Sequence, residues 1–243
     1  MKLAAAVFTV LIATSSIVHA DTFNVTYEAP GVQNSTTSFA FKGIETFDSR
    51  ATGAQSFTTD FGTAGTITGR YSSVTINNKD VFGGANGTGK YAVANRNAPY
   101  SLNLSTGDAR GINYFGYWLS ALDSGNEVTF KRAGATVFTF AATDVARLLA
   151  AIPAYKGNPN GGGNTAEPYA FLNFYNTDGT FDEVVFTENA RAGYESDNHT
   201  VGFFLSQSGS AVPEPASWAM MTGGLALVGA TVRRRRARAT VKA

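Results

Sequence analysis

The sequence predicts an all-β body, a jelly-roll-like β-sandwich with one short helix. Three observations carry this reading. Short runs alternate apolar and polar residues with period two, as in residues 22–27 and 38–42. Aromatic and β-branched residues fill such runs, while the 26 glycines fall mostly between them. Only one stretch, residues 143–150, has the chemistry of a helix.

Beyond the first two runs, Phe57, Ile67, Tyr71, Val74 and Ile76 lie in Ser/Thr-rich segments punctuated by Gly62, Gly65 and Gly69. Residues 80–91 imitate a phosphate loop, with Gly84 and Gly89-Lys90 at the right spacing. Tyr91, however, stands where a Ser or Thr must hold magnesium, so the stretch reads as a glycine-rich loop. Residues 113–120 form an aromatic strand, 122–127 a turn and 128–131 a returning strand, which together read as a hairpin. Residues 137–140 add another strand. The helix comes next, with Thr143 as N-cap, Asp144 in its first turn, Leu148 and Leu149 on one side and Pro153 beyond its end. A Gly/Asn/Pro loop runs over residues 155–167, either a connection or a binding surface. Residues 169–175 and 181–186 flank Asn176-Thr177-Asp178-Gly179-Thr180 and read as a second hairpin. Residues 194–201 lead into a last strand at 202–205, and 207–212 read as a small polar linker.

Both ends carry addresses. Met1-Lys2, an apolar run to Ile17 and the small-residue site Val18-His19-Ala20 make residues 1–20 a secretory signal peptide, cleaved between Ala20 and Asp21. The expected export route is the Sec translocon. The body then spans residues 21–206. At the other end stand Pro213-Glu214-Pro215, an apolar segment of 17 residues from 216 to 232 containing Trp218, and Arg233, Arg234, Arg235 and Arg236. The prolines keep the first piece extended. The apolar segment is a short single membrane span, Trp218 sits at its interface, and the arginines point to the cytoplasm. Residues 213–238 thus form a sorting signal and 239–243 a short tail.

Those residues resemble the PEP-CTERM sorting domain, which has the same three parts in the same order. The resemblance implies a membrane protease, an exosortase, acting near Pro213-Glu214-Pro215. It also implies a Gram-negative source, an inner-membrane intermediate and delivery to the cell surface or its extracellular matrix. Such a tail is a receptor-read address, so the mature chain need keep no membrane helix. Several body segments resemble exosortase-dependent surface proteins: Asn113-Tyr114-Phe115-Gly116-Tyr117-Trp118, Asp123-Ser124-Gly125-Asn126, Gly157-Asn158-Pro159-Asn160-Gly161, Glu167-Pro168-Tyr169-Ala170-Phe171 and Tyr194-Glu195-Ser196-Asp197-Asn198-His199. This likeness implies a surface or matrix protein and supplies no catalytic residue; the expected function is a structural or adhesive role in exopolysaccharide or biofilm.

Charge and composition narrow the chemistry. Residues 21–212 hold 17 acidic and 12 basic residues, a net −5, which argues against nucleic acid as a partner. The chain has no cysteine, so disulfides and thiol chemistry are excluded. His199 is the only histidine left after signal cleavage, too few for a multi-histidine zinc site. The serines show no nucleophile-elbow pattern, and an enzyme is not expected. Calcium is the candidate cofactor, because Asp123, Asn126, Glu195 and Asp197 offer hard oxygen ligands on turns. A calcium-assisted carbohydrate-binding module is therefore the second reading, with Tyr155 and Tyr169 as exposed rings for sugars. The plainer account of those Asp and Asn residues is turn chemistry.

Overall fold

A computed structural model describes residues 21–121, 125–157, 164–190 and 193–212. Among them thirteen strands form one curled antiparallel sheet with one short helix. The strands are β1 (Phe23–Tyr27), β2 (Ser38–Glu45), β3 (Gly53–Thr59), β4 (Ile67–Asn78), β5 (Lys90–Ala94), β6 (Tyr100–Thr106), β7 (Tyr114–Leu119), β8 (Asn126–Arg132), β9 (Ala135–Ala141), β10 (Ala170–Asn176), β11 (Glu183–Glu188), β12 (Tyr194–Ser206) and β13 (Ser210–Ala211). The helix is α1 (Thr143–Ala150). Neighbours run β13-β1-β10-β7-β12-β5-β4-β6-β11-β8-β9, with β2 also on β12 and β3 on β4. No helix among the described residues is long and apolar enough to cross a membrane.

The sheet curls because its aromatic residues need a common interior. Phe115 of β7 faces Phe130 of β8 at 6.1 Å and Phe186 of β11 at 5.9 Å. Phe174 of β10 lies 5.3 Å from Phe130. One wall is therefore β1, β10, β7 and β12, and the facing wall is β6, β11, β8 and β9. At the open edge Phe23 of β1 stacks on Phe138 of β9, with centroids 4.4 Å apart. Burying each such ring stabilises the body by about 1.5–3 kcal/mol, which is how a chain without disulfides holds together.

β7 and β10 are buried on both faces. Their inner side chains enter the common core. On the outside, Asn173 of β10 accepts from the Tyr114 hydroxyl at 2.6 Å and donates to Glu28 at 3.0 Å. Gly116 makes room for this contact, because a side chain there would collide with the Tyr114 hydroxyl. The buried Glu28 carboxylate also accepts from the Thr36 amide and hydroxyl and from the Ser208 hydroxyl at 2.6 Å.

Several expectations change. Neither predicted hairpin forms. β7 pairs with β10 and β12, whereas β8 pairs with β9 and β11. Likewise β10 pairs with β1 and β7, and β11 with β6 and β8. Each predicted partner lies in the opposite wall, so both turns are arches between walls. The adjacent hairpin is β8–β9, turned by Ala133 and Gly134 at φ 50° and 81°. The helix forms where expected, but its N-cap is Ala142, with no capping side chain. Residues 207–212, expected as a linker, belong to the sheet. β13 pairs with β1, and the Val212 amide donates to the Val25 carbonyl at 2.9 Å.

Candidate functional site

The strands run between two ends of the sandwich. At the entry end, Asp21 leads into β1 and is held there. Its carboxylate accepts from both terminal nitrogens of Arg132 at 2.8 Å and from Asn176 at 2.7 Å. β13 is antiparallel to β1, so the chain leaves Val212 heading towards this same end. The opposite end carries residues 79–89, 95–98 and 164–169 and the start of β12.

At that loop end, register builds a polar and aromatic patch on the outer face. Phe171 of β10, Trp118 of β7 and Asp197 of β12 lie opposite one another in a row. Directly opposite residues project to the same face. One step along, the Ser120 amide donates to the Glu195 carbonyl at 3.2 Å, which sets Ser120 beside Glu195. Tyr169 adds a ring 6.4 Å from Trp118. The Trp118 indole nitrogen and the Ser120 hydroxyl are fully buried and have no hydrogen-bond partner.

The glycine-rich loop covers this patch. The Ala85 amide donates to Asp197 Oδ2 at 2.7 Å, and the Asn198 amide donates to Oδ1 at 2.7 Å. Burial nevertheless pushes the Asp197 carboxyl up to about 7, because desolvation outweighs the two donors. Asp80 fastens the other arm of the loop. Its Oδ1 accepts from the amides of Phe82 at 2.8 Å and Gly83 at 2.9 Å, and its Oδ2 from the Tyr91 hydroxyl at 2.9 Å. The Tyr169 hydroxyl donates to the Val81 carbonyl at 2.9 Å. Burial, then the nearby carboxylates Glu167, Glu195 and Asp80, raises that hydroxyl to about 12. The fixed frame leaves Val81 45% and Phe82 47% exposed at its tip. Two apolar side chains held out on a hydrogen-bonded loop are suited to contacting a partner.

The expected calcium ligands are not gathered here. Glu195 and Asp197 share the outer face of β12. Asn126 begins β8 in the other wall, opposite Glu188, and its buried amide has no hydrogen-bond partner. Asp123 lies outside the described residues. Among the described residues no group of three or more His, Asp or Glu side chains could hold a metal ion. Tyr155 and Tyr169, expected as exposed sugar platforms, are buried at 6% and 1% exposure.

His199 lies inside the core. Its Nδ1 is 2.9 Å from the Tyr71 hydroxyl and its Nε2 is 3.0 Å from the Ser196 hydroxyl. This serine–histidine contact is fully buried, so no substrate reaches it in this conformation. Sequence reasoning missed the Val81-Phe82 tip, although an aspartate three residues before a glycine at Asp80 and Gly83 is an available turn signal.

Residues 211–236 match the family model of the PEP-CTERM protein-sorting motif. The chain carries a PEP-CTERM sorting motif. The motif marks a secreted, surface-targeted protein processed by an exosortase. Its match begins inside β13, so the PEP-CTERM motif starts where the described sheet ends. Pro213, Glu214, Pro215, Trp218 and Arg233 to Arg236 lie outside the described residues, as does Ala20. No curated protein matches the chain. Among solved structures it is similar to the K2 cleaved adhesin domain of Lys-gingipain. Their identity is 14% and the TM-score 0.36, over 67% of this chain and 98% of that one.

Proposed function

We propose that this protein is an adhesive or structural component of the bacterial surface or exopolysaccharide matrix, with a binding rather than a catalytic role. It is exported through the Sec translocon of a Gram-negative cell, held briefly in the inner membrane by its C-terminal segment and then processed by the exosortase. One observation carries the reading: the chain enters at one end of the sandwich and leaves heading towards that end. The tether therefore lies behind, and the loop end with Val81 and Phe82 faces away from the cell.

The test compares intact cells displaying the native protein with cells displaying Val81→Ser/Phe82→Ser. Both side chains are exposed, so processing and melting temperature should stay unchanged while attachment to matrix falls severalfold. Replacing Pro213, Glu214 and Pro215 with alanine should instead trap uncleaved protein in the inner membrane. Equal attachment by the tip variant would overturn the adhesive role. Normal processing of the alanine variant would overturn the exosortase step.

A carbohydrate-binding role is the second reading, favoured by the unpartnered Trp118 and Ser120 groups beside Glu195 and Asp197. A sugar hydroxyl both donates and accepts, which suits these groups, but they lie buried under the glycine-rich loop, so a sugar would bind there only with that loop displaced. For calcium, only the Glu195 and Asp197 pair remains in support, and melting with and without chelator tests it.

A further inference from the structure

A second surface lies beside the exit strand. Phe203 and Phe204, near the end of β12, sit opposite Phe41 and Phe39 of β2. All four rings are half-buried, and Leu205 next to them is 64% exposed. Lys42 holds its ammonium 5.3 Å over the Phe39 ring. The Arg110 guanidinium lies 5.4 Å from Phe41 and 5.5 Å from Phe203, while also pairing with Asp108. Successive strand residues face opposite sides, so Phe39 and Phe204 lie on the outer face against Tyr114 and Tyr175, under Lys42, whereas Phe41 and Phe203 face the core side, beside Arg110. The outer surface is thus apolar with a cation at its rim. Cations over apolar rings keep their heads in water while their stems cover hydrocarbon, an arrangement suited to a lipid interface.

Its position supplies the occupant. The Phe204 ring is 5.0 Å from the Tyr175 ring. The Tyr175 hydroxyl accepts from the Ser208 amide at 3.0 Å, so the patch joins the strap that ends in β13. From Val212 to Ala216, where the apolar tail segment begins, there are four peptide steps, a reach of at most about 14 Å. An inserted tail therefore brings this part of the body close to the headgroups.

We infer that the Phe39, Phe204 and Leu205 surface docks on the anionic phospholipid surface of the membrane that holds the sorting tail, orienting the body before processing. The inference rests on reading the tail as a membrane segment. Docking buries apolar side chains that water otherwise contacts, and Lys42 adds attraction to anionic lipid. It also positions residues 213–215 at a fixed height for a membrane protease.

The chain has no native cysteine, so single labels report cleanly. Full-length chain carrying Leu205→Cys or Phe82→Cys is labelled with an environment-sensitive dye and reconstituted in phosphatidylethanolamine/phosphatidylglycerol vesicles. Carbonate extraction separately reports tail insertion. The label at 205 should be quenched by lipid-borne quenchers and shielded from aqueous ones, and the label at 82 should behave oppositely. Adding Lys42→Glu should lower the shielded fraction at 205, because reversing one charge beside an anionic surface weakens docking about thirtyfold. An inserted tail with a water-exposed label at 205 overturns the docking alone. A tail that carbonate extracts overturns the tether reading and the docking with it. Cross-links between two copies at 205 would assign the surface to self-association and overturn the proposal.

Discussion

His199 and Asp197, two residues apart on β12, hold protons in opposite senses. Burial lowers His199 from 6.5 to about 3, so the folded protein keeps it neutral while the unfolded chain protonates it below 6.5. That contribution to stability is present above 6.5 and is lost as pH falls towards 3. Burial raises Asp197 from 3.8 to about 7, so the folded protein keeps that proton while the unfolded chain has released it. Its contribution is present below 3.8 and is lost as pH rises to 7. Between 3.8 and 6.5 one group favours the unfolded state by a proton and the other the folded state by a proton. The native protein should therefore show little change of unfolding free energy with pH in that window. Asp197→Asn removes one side of the balance. Its stability should fall by about 1.4 kcal/mol for each pH unit of acidification in the same window. His199→Gln should show the opposite slope. Urea titrations at several pH values read both, and a flat profile for either variant would contradict the assignment. The sequence marked His199 as solitary, but its place in the core depends on Tyr71 and Ser196, and no local pattern announces those contacts.

At the level of elements, the alternating runs showed where strands lie but not which strands pair. Turn residues say that the chain reverses. They do not say whether it reverses within a wall or across the core, because Asp, Asn and Gly serve both geometries. That is why residues 113–131 and 169–186 looked like hairpins and are arches. β8–β9 was legible as two strands, since period two marks both and Gly134 separates them. The 207–212 stretch was misread for a different reason. Small polar residues look like a linker until their partners appear, and Glu28, the centre of this cluster, is 180 positions from Ser208. The strap predicts a defined weakness. Glu28→Ala leaves the donors of Ser208, Thr36 and Asn173 facing a cavity, and loss of such buried bonds should cost about 3 kcal/mol. Limited proteolysis should then cut near residues 207–212 first. Unchanged cleavage of that segment would mean that β13 holds without the cluster.

For the whole molecule, β12 is the strand on which the sheet depends, since it pairs with β5, β7 and β2. A chain ending at Gly193 should give no cooperative melt, whereas one ending at Ser206 should still melt cooperatively at a lower temperature. Calorimetry of both distinguishes a central β12 from a dispensable one, and a cooperative melt of the shorter chain would refute the first. The candidate site obeys the same logic. Its loops were visible as glycine-rich runs, yet the row of Phe171, Trp118 and Asp197 exists only because three distant strands meet.

This connectivity sets a timetable for biogenesis. β1 must wait for β10, and β2, β5 and β7 must wait for β12, so little of the sheet is complete until residues 194–206 have emerged. Non-local β pairing of this kind folds slowly, on the order of milliseconds to seconds. The sorting motif comes directly after β13 in the chain, so the signal for departure emerges with the residues that complete the sheet. Synthesis order thus works as a quality gate, because a chain broken off before its last strands lacks both a finished body and the signal that would send it to the surface.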